Sequence, residues 1–237
     1  RNPEYPGFTD GPEWHYRYSY GTPFVDFSTF YSVLTYVSFS AVSYIDSDSS
    51  REVDACLWSY GAVALWCNGQ KAIEIDTPVY KPIMKACFRL RLKKGRNEIY
   101  VLFQNLGVRD TRSLFAIEVL SDGVSSSSGR SDAEKAASWL DGAILSGRRL
   151  SFPGQGSFRA VLGRDSKSPD YAEVKTRVSW KDITGITEIE LSEGAPYIIV
   201  EADTGRDKLR RFFEIAEFIC PEYTGMTDRK ENYRRML

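Results

Sequence analysis

With 237 residues, 42% of them hydrophobic and 14% aromatic, the chain is long enough for two domains, which commonly run about 100–150 residues each. Its 31 Lys and Arg balance 32 Asp and Glu, which excludes the broad positive field that nucleic acid or an anionic membrane surface favours. No run approaches the roughly 20 apolar residues of a membrane-spanning helix, and helix-favouring runs are scarce, so the chain is expected to be mainly β.

Residues 1–13 are rich in Pro and Gly and read as an extended lead-in. Trp14 to Tyr20 alternates aromatic and polar residues, which predicts a strand with Trp14, Tyr16 and Tyr18 on one face. Phe30 to Ile45 is a long Ser/Val/Tyr/Phe alternation, followed by a polar turn from Asp46 to Arg51. Strands are then expected over Val53–Tyr60, Ala62–Cys67, Gln70–Ile75, Lys85–Leu92, Glu98–Gln104 and Leu114–Leu120. Asn68-Gly69 supplies the positive φ angles of a two-residue hairpin turn, and Gly95 does so in the longer Lys93–Asn97 turn, which is read as a second hairpin. So many short strands with turn signals between them are the signature of a sandwich or jelly roll. Arg89, Arg91, Lys93, Lys94 and Arg96 read as the charged face of an edge strand and its turn.

Ser121 to Arg130 lacks a core-forming pattern and reads as a flexible linker. Ser131 and Glu134 have capping-box spacing, and Ala133, Ala136, Ala137, Leu140 and Ile144 form an apolar stripe, which predicts a helix ending by Gly147. Strands resume over Ser157–Leu162, Tyr171–Trp180, Thr187–Leu191 and Tyr197–Ala202. Leu209–Cys220 fits a helix face or a returning strand, and the turn signal at Thr204-Gly205-Arg206 favours the strand. A last helix is expected over Asp228–Leu237, as the first helix of a further domain. The organisation expected is a first β domain over residues 1–120, a linker and helix over 121–149, a second β-sandwich domain over 150–222, and the start of a helical domain over 223–237.

The residue types restrict the chemistry. Cys56, Cys67, Cys87 and Cys220 form no CxxC pair, and one histidine is present, which argues against a local Cys/His zinc site. The cysteines lie in apolar runs and read as reduced thiols in a cytoplasmic protein. A Cys56–Cys67 or Cys67–Cys87 bridge stays open, and so does secretion behind a removed leader. Among Asp26, Asp46, Asp48, Asp54, Glu74, Asp76, Asp110, Asp170 and Glu201, no spacing selects the carboxylate pair that glycoside hydrolysis needs. His15 lacks a nucleophile-elbow motif, and Phe152 to Ser157 lacks the lysine and helix of a phosphate-cradling loop. Catalytic residues are therefore not assigned. Carbohydrate contact is the better candidate, because aromatic rings cover sugar C–H faces while polar groups bond the hydroxyls. The candidates are Trp14, Tyr16, Tyr18 and Trp58, with Arg109 and Asp110 as polar partners. No cofactor is expected; Asp46-Ser47-Asp48 offers oxygen ligands for a structural Ca²⁺.

Three segments carry a family resemblance. Gly61 to Lys71 resembles a "glycine, strand, Trp-x-Asn-Gly-Lys" hairpin, with Gln70 in the place of the usual Lys or Glu. Phe88 to Phe103 is similar to "Leu-x-Leu-Lys-x-Gly-x-Asn-x-Ile/Leu-x-Val". Gly107 to Thr111, followed by Phe115-Ala116-Ile117, resembles a closing "Arg-Asp, then Phe-x-Leu" strand. Together they resemble the galactose-binding-like jelly rolls that precede the catalytic domains of large bacterial glycoside hydrolases. The resemblance covers Val25 to Leu120. It implies further β-sandwich material and then a helical-barrel catalytic domain, whose acid/base carboxylates lie outside this chain. It thus implies a non-catalytic accessory region whose partners are that catalytic domain and carbohydrate. A free-standing carbohydrate-binding module and an oligomer-forming structural domain are the alternatives.

Overall fold

The computed structural model describes residues 3–19, 22–76, 83–109, 111–165, 178–191 and 197–215. The chain divides into two compact units, residues 1–134 and 135–237, and both are built from antiparallel sheets. The mainly β expectation holds: among the described residues there is one helix.

The N-terminal unit is a sandwich of two sheets. In chain order its strands are β1 (Val25–Asp26), β2 (Tyr31–Ser47), β3 (Arg51–Ser59), β4 (Ala62–Cys67), β5 (Gln70–Ile75), β6 (Met84–Leu92), β7 (Gly95–Arg109), β8 (Leu114–Leu120) and β9 (Val124–Ser127). One sheet has the order β1-β8-β3-β6 and the other β5-β4-β7-β2-β9. Period-two alternation decides what each face buries. Val53, Ala55 and Leu57 of β3, Leu90 and Leu92 of β6 and Phe115 of β8 meet Val63 and Leu65 of β4 and Ile99, Val101 and Phe103 of β7. Phe103 lies at the centre, stacked on Phe39 at 4.6 Å between ring centroids. Lys85, Arg89 and Arg91 point outward on the edge strand β6, where Arg89 pairs with Asp54 and Arg91 with Glu52, as the basic cluster leads one to expect.

The β4–β5 hairpin turns at Asn68 and Gly69, whose φ angles are 50° and 79°. The second turn corrects the hairpin reading. β6 pairs with β3, whereas β7 pairs with β2 and β4, so the turn at Lys93–Gly95 carries the chain from one sheet to the other. A positive-φ glycine serves either purpose, and the local signal does not tell them apart. At the switch the backbone loses its ladder partners, and the fully buried Asn97 side chain supplies them. Its Oδ1 accepts from Lys93 N at 2.9 Å. Its Nδ2 faces the carbonyls of Ile45, Lys93 and Gly95 at 2.9–3.1 Å. Asn68 Nδ2 also donates to Asn97 Oδ1 at 2.9 Å, and Glu98 N donates to Asn68 Oδ1. The two turn motifs are thus one hydrogen-bonded unit.

Three further expectations change. Trp14–Tyr20 forms no strand within the described residues 14–19. Ser121–Arg130 is not a free linker, because β9 within it pairs with Tyr44–Ser47 of β2. Cys56 and Cys87 are not reduced thiols: they are disulfide-bonded to each other, neither of the pairings left open by spacing. They occupy directly opposed positions on β3 and β6, with Cα atoms 4.0 Å apart, while Cys67 is drawn into the core on β4. Burial pushes the Cys67 thiol up to about 11, so it stays protonated and inert.

In the C-terminal unit, α1 (Ser131–Asp141) starts upstream in residues assigned to the first unit. Its start is held by Glu134, whose carboxylate accepts from the Ser128 backbone and hydroxyl, so Glu134 engages Ser128 in place of Ser131. The helix is shorter than its apolar stripe suggested. Ile144 belongs to β10 (Ile144–Ser146), which turns at Gly147 into β11 (Arg149–Ser151). β12 (Arg159–Asp165), β13 (Ser179–Asp182), β14 (Glu188–Glu190), β15 (Tyr197–Asp203) and β16 (Lys208–Glu214) complete sheets of order β10-β11-β14 and β13-β12-β15-β16. The strand reading from Leu209 therefore holds to Glu214. Most of Tyr171–Trp180 lies outside the described residues, as do Cys220 and the helix expected over Asp228–Leu237. Trp139 stacks on Phe152 at 4.2 Å and donates to Gly154 O, and the Arg211 guanidinium donates to the last carbonyls of α1, Leu140 and Asp141, and to that of Ala143 just beyond it.

Two outcomes follow for solution measurements. Asn97→Ala leaves several buried backbone groups unpaired, and urea unfolding should show a loss of roughly 2–4 kcal/mol. Reducing the Cys56–Cys87 bridge, whose cysteines are 31 residues apart in sequence, should lower the unfolding midpoint. Chain entropy sets that loss at about 3–4 kcal/mol, and Cys56→Ser/Cys87→Ser should reproduce it without reductant.

Candidate functional site

The aromatic residues near the N-terminus form an arm instead of a strand. Pro6, Gly7, Gly11 and Pro12 keep the lead-in out of a ladder, and the rings of Tyr5, Phe8 and Trp14 find partners on the outer face of β4 and β7. There Trp66 and Tyr100 are covered by Tyr5, Phe8 and Trp14: Tyr5 lies edge-on to Tyr100 at 5.4 Å, and Trp14 lies edge-on to Phe8 at 4.9 Å. Arg130 ties the arm down through Asp10 Oδ1 at 2.9 Å and the Trp14 carbonyl at 2.6 Å, and the Tyr5 hydroxyl donates to Glu98. Burial, reinforced by Glu98, pushes the Tyr5 phenol up to about 12. The Trp14 ring is consequently engaged in packing, Tyr16 is half-buried and Tyr18 is buried.

Trp58 stands apart from these. It lies on the outward face of β3, half-buried, with the Lys85 ammonium 4.3 Å from its ring centroid and Glu118 Oε2 3.5 Å from Nε1. Arg109 ends β7 with a φ of 54° and is exposed; Asp110 lies outside the described residues. Trp14 thus packs on the outer face of β4 and β7, Trp58 lies on the outward face of β3, and Arg109 stands at the end of β7. Asp46 pairs with Arg96 at 3.6 Å and Asp48 with Arg51 at 3.4 Å. These carboxylates already face guanidinium groups. Among the described residues no group of three or more His, Cys, Asp or Glu side chains is placed to hold a metal ion.

Several acidic residues among those described have partners within the fold. Asp26 accepts from Ser28 N, Asp54 pairs with Arg89, and Glu74 pairs with Lys71. Buried Glu201 is held by Arg210 at 2.6 Å and by Lys208 at 3.5 Å. Burial would raise the Asp203 carboxyl, but the Gly205 N–H and Lys208 outweigh it and hold it below the usual range, the wrong direction for a general acid.

Two features escaped the sequence reading. One is the Asn68–Asn97 unit, whose members had been noted as separate turn signals. The other is an exposed apolar group at one end of the second sheet, Phe30, Val33, Leu34, Tyr36 and Leu106. Its signal was present as the uncharged run from Tyr31 to Ser43.

No family model matches the chain, and no curated protein matches it. Among solved structures, a family 35 carbohydrate binding module from an environmental isolate is similar over 47% of this chain and 81% of its own, at 18% identity and a TM-score of 0.29. A β-glucuronidase from Ruminococcus gnavus is similar over 76% of this chain and 36% of its own, at 9% identity and a TM-score of 0.24. A β-glycosidase from Bacteroides vulgatus is similar over 76% of this chain and 25% of its own, at 12% identity and a TM-score of 0.21. The chain thus spans between a quarter and about a third of these two enzymes. Similarity at these scores establishes neither a shared fold nor a shared activity.

The Tyr5 phenol sets a pH limit on the arm. Its folded pKa lies above the ordinary value of 10, so its contribution is complete below about pH 10 and is lost as the pH rises through about 12. Burial raises the Tyr44 phenol as well, so tyrosinate absorbance should show late-titrating groups, the Tyr5 step accompanied by a change in Trp fluorescence, and Tyr5→Phe should remove that step.

Proposed function

We infer that this chain is a non-catalytic, carbohydrate-associated region of a glycoside hydrolase, which packs on the catalytic domain of the same protein and shapes one wall of its substrate cleft. The observation that carries this reading is where the resembling motifs fall in the sandwich. Gly61–Lys71 forms β4 and the β4–β5 turn, Phe88–Phe103 makes the sheet switch, and Phe115–Ile117 closes the core. The motif asparagines Asn68 and Asn97 bond each other. Residues that give the resemblance thus hold a fold together, which suits a supporting part. The engagement of the acidic side chains in structural pairs points the same way. No helix among the described residues is long and apolar enough to cross a membrane. The Cys56–Cys87 bridge supports an oxidising compartment over the cytoplasm.

A second reading, a free-standing carbohydrate-binding module, is favoured by Trp58. A partly exposed ring flanked by an ammonium and a carboxylate offers both the apolar face and the polar groups that sugars engage.

The two readings separate in one set of measurements on the purified chain, using a glycan array and a panel of chromogenic aryl glycosides. The supporting role predicts no aglycone release and no saturable glycan binding. Hydrolysis by the chain alone overturns the non-catalytic assignment. Saturable binding that Trp58→Ala abolishes identifies the second reading instead.

A further inference from the structure

The open strand edges of the N-terminal unit are not alike. β5 carries Lys71 and Glu74, β6 carries Lys85, Arg89 and Arg91, and the stretch of β8 beyond β1 carries Glu118. Such charges are the usual guard against pairing with another molecule. β2 is different. β7 pairs along one side of it from Thr35 to Ser47, but β9 covers the other side over Tyr44–Ser47 alone. From Tyr31 to Ser43 the outer row of backbone groups meets no further strand among the described residues, apart from the Val33 carbonyl, which accepts from Thr35 Oγ1. This stretch holds no charged residue, no Pro and no Gly. The irregular register between Tyr31 and Thr35 leaves Thr35–Ser43 as the regular part of the edge. Beside it, Val33 and Leu34 are 68% exposed, Tyr36 62% and Leu106 51%.

The geometry points to this edge as a homodimer interface, in which β2 pairs antiparallel with β2 of a second copy and joins the two five-stranded sheets into one. A second copy fits better than an unrelated strand for three reasons. A two-fold axis normal to the sheet keeps each face on its own side, so residues of equal parity oppose each other and core-side positions continue core-side positions. The edge is uncharged, so an identical strand brings no like-charge repulsion. Leu34 and Tyr36 on the outward face would then meet the copy's small hydroxyl residues, such as Ser38 and Ser40, which leaves room for both larger side chains. An isologous pair also closes, using up the open edge on both molecules, whereas β2 left bare would template open-ended association. The inference is independent of the carbohydrate-associated role.

The test is the mass of the full chain in solution. Sedimentation equilibrium should give twice the chain mass, falling towards the single mass on dilution. Hydrogen exchange should show protection between Thr35 and Ser43 that rises with protein concentration. Tyr36 and Ser38 are both exposed, so Tyr36→Lys/Ser38→Lys should keep the circular dichroism spectrum and halve the mass at equal concentration. Ser38→Lys alone should weaken association in the same direction. A chain that is monomeric at every concentration overturns the proposal and leaves the edge to a strand of some other protein. A dimer untouched by both lysine variants, or one without protection at Thr35–Ser43, overturns it as well.

Discussion

The carboxamide of Asn97 stands in for the hydrogen bonds that a strand forfeits when it leaves one sheet for another. A sandwich whose chain crosses repeatedly between layers meets this difficulty at every crossing, because a buried peptide group without a partner is costly. At Lys93–Gly95 one side chain answers it, accepting from one amide and facing three carbonyls. Asn97 also receives the Asn68 side chain from the β4–β5 turn. The placement of β6 in one layer and β7 in the other, and so the facing of Leu90 and Leu92 against Ile99 and Val101, depends on that crossing being satisfied.

The outer faces of the sandwich are finished in two different ways. Over β3 and β6 the cover is electrostatic, with Asp54–Arg89 and Glu52–Arg91 set across the strands. Exposed pairs of this kind add little stability but keep the surface wet. Over β4 and β7 the cover is the chain itself, since the arm lays Tyr5, Phe8 and Trp14 on Trp66 and Tyr100. Aromatic burial there carries real energy, at about 1.5–3 kcal/mol for each large side chain fully removed from water.

Much of the fold could be read from residue order, and the failures share a cause. β4, β5 and β8 fall where the sequence reading places them, because each is an apolar or alternating run with a sharp turn signal at its end. Trp14–Tyr20 carries the same alternation and is no strand over its described residues 14–19, where the Trp14 ring finds a hydrophobic face without the backbone entering a ladder. The Ser-rich segment after Leu120 shows no alternation and yet contributes β9, because an edge position asks only for backbone pairing. The Cys56–Cys87 bridge depends on register between two strands 31 residues apart, which composition does not encode. The candidate site residues Trp14, Trp58 and Arg109 are grouped by residue type, and type says nothing of which sheet face or which end of the sandwich each occupies.

The clamp of Arg211 on the end of α1 ties the order of synthesis to the order of folding. The Leu140 carbonyl and the guanidinium that satisfies it are separated by 71 positions in the chain. At ribosomal elongation rates of roughly 5–20 residues per second, a nascent helix waits about 4–14 s before its last turn can be secured. Until then its end is free to fray, and Trp139 must shelter against Phe152 without the final strand of the sheet in place. Before Arg211 has emerged, the Leu140 and Asp141 carbonyls at the end of α1 therefore lack the guanidinium that satisfies them in the folded chain.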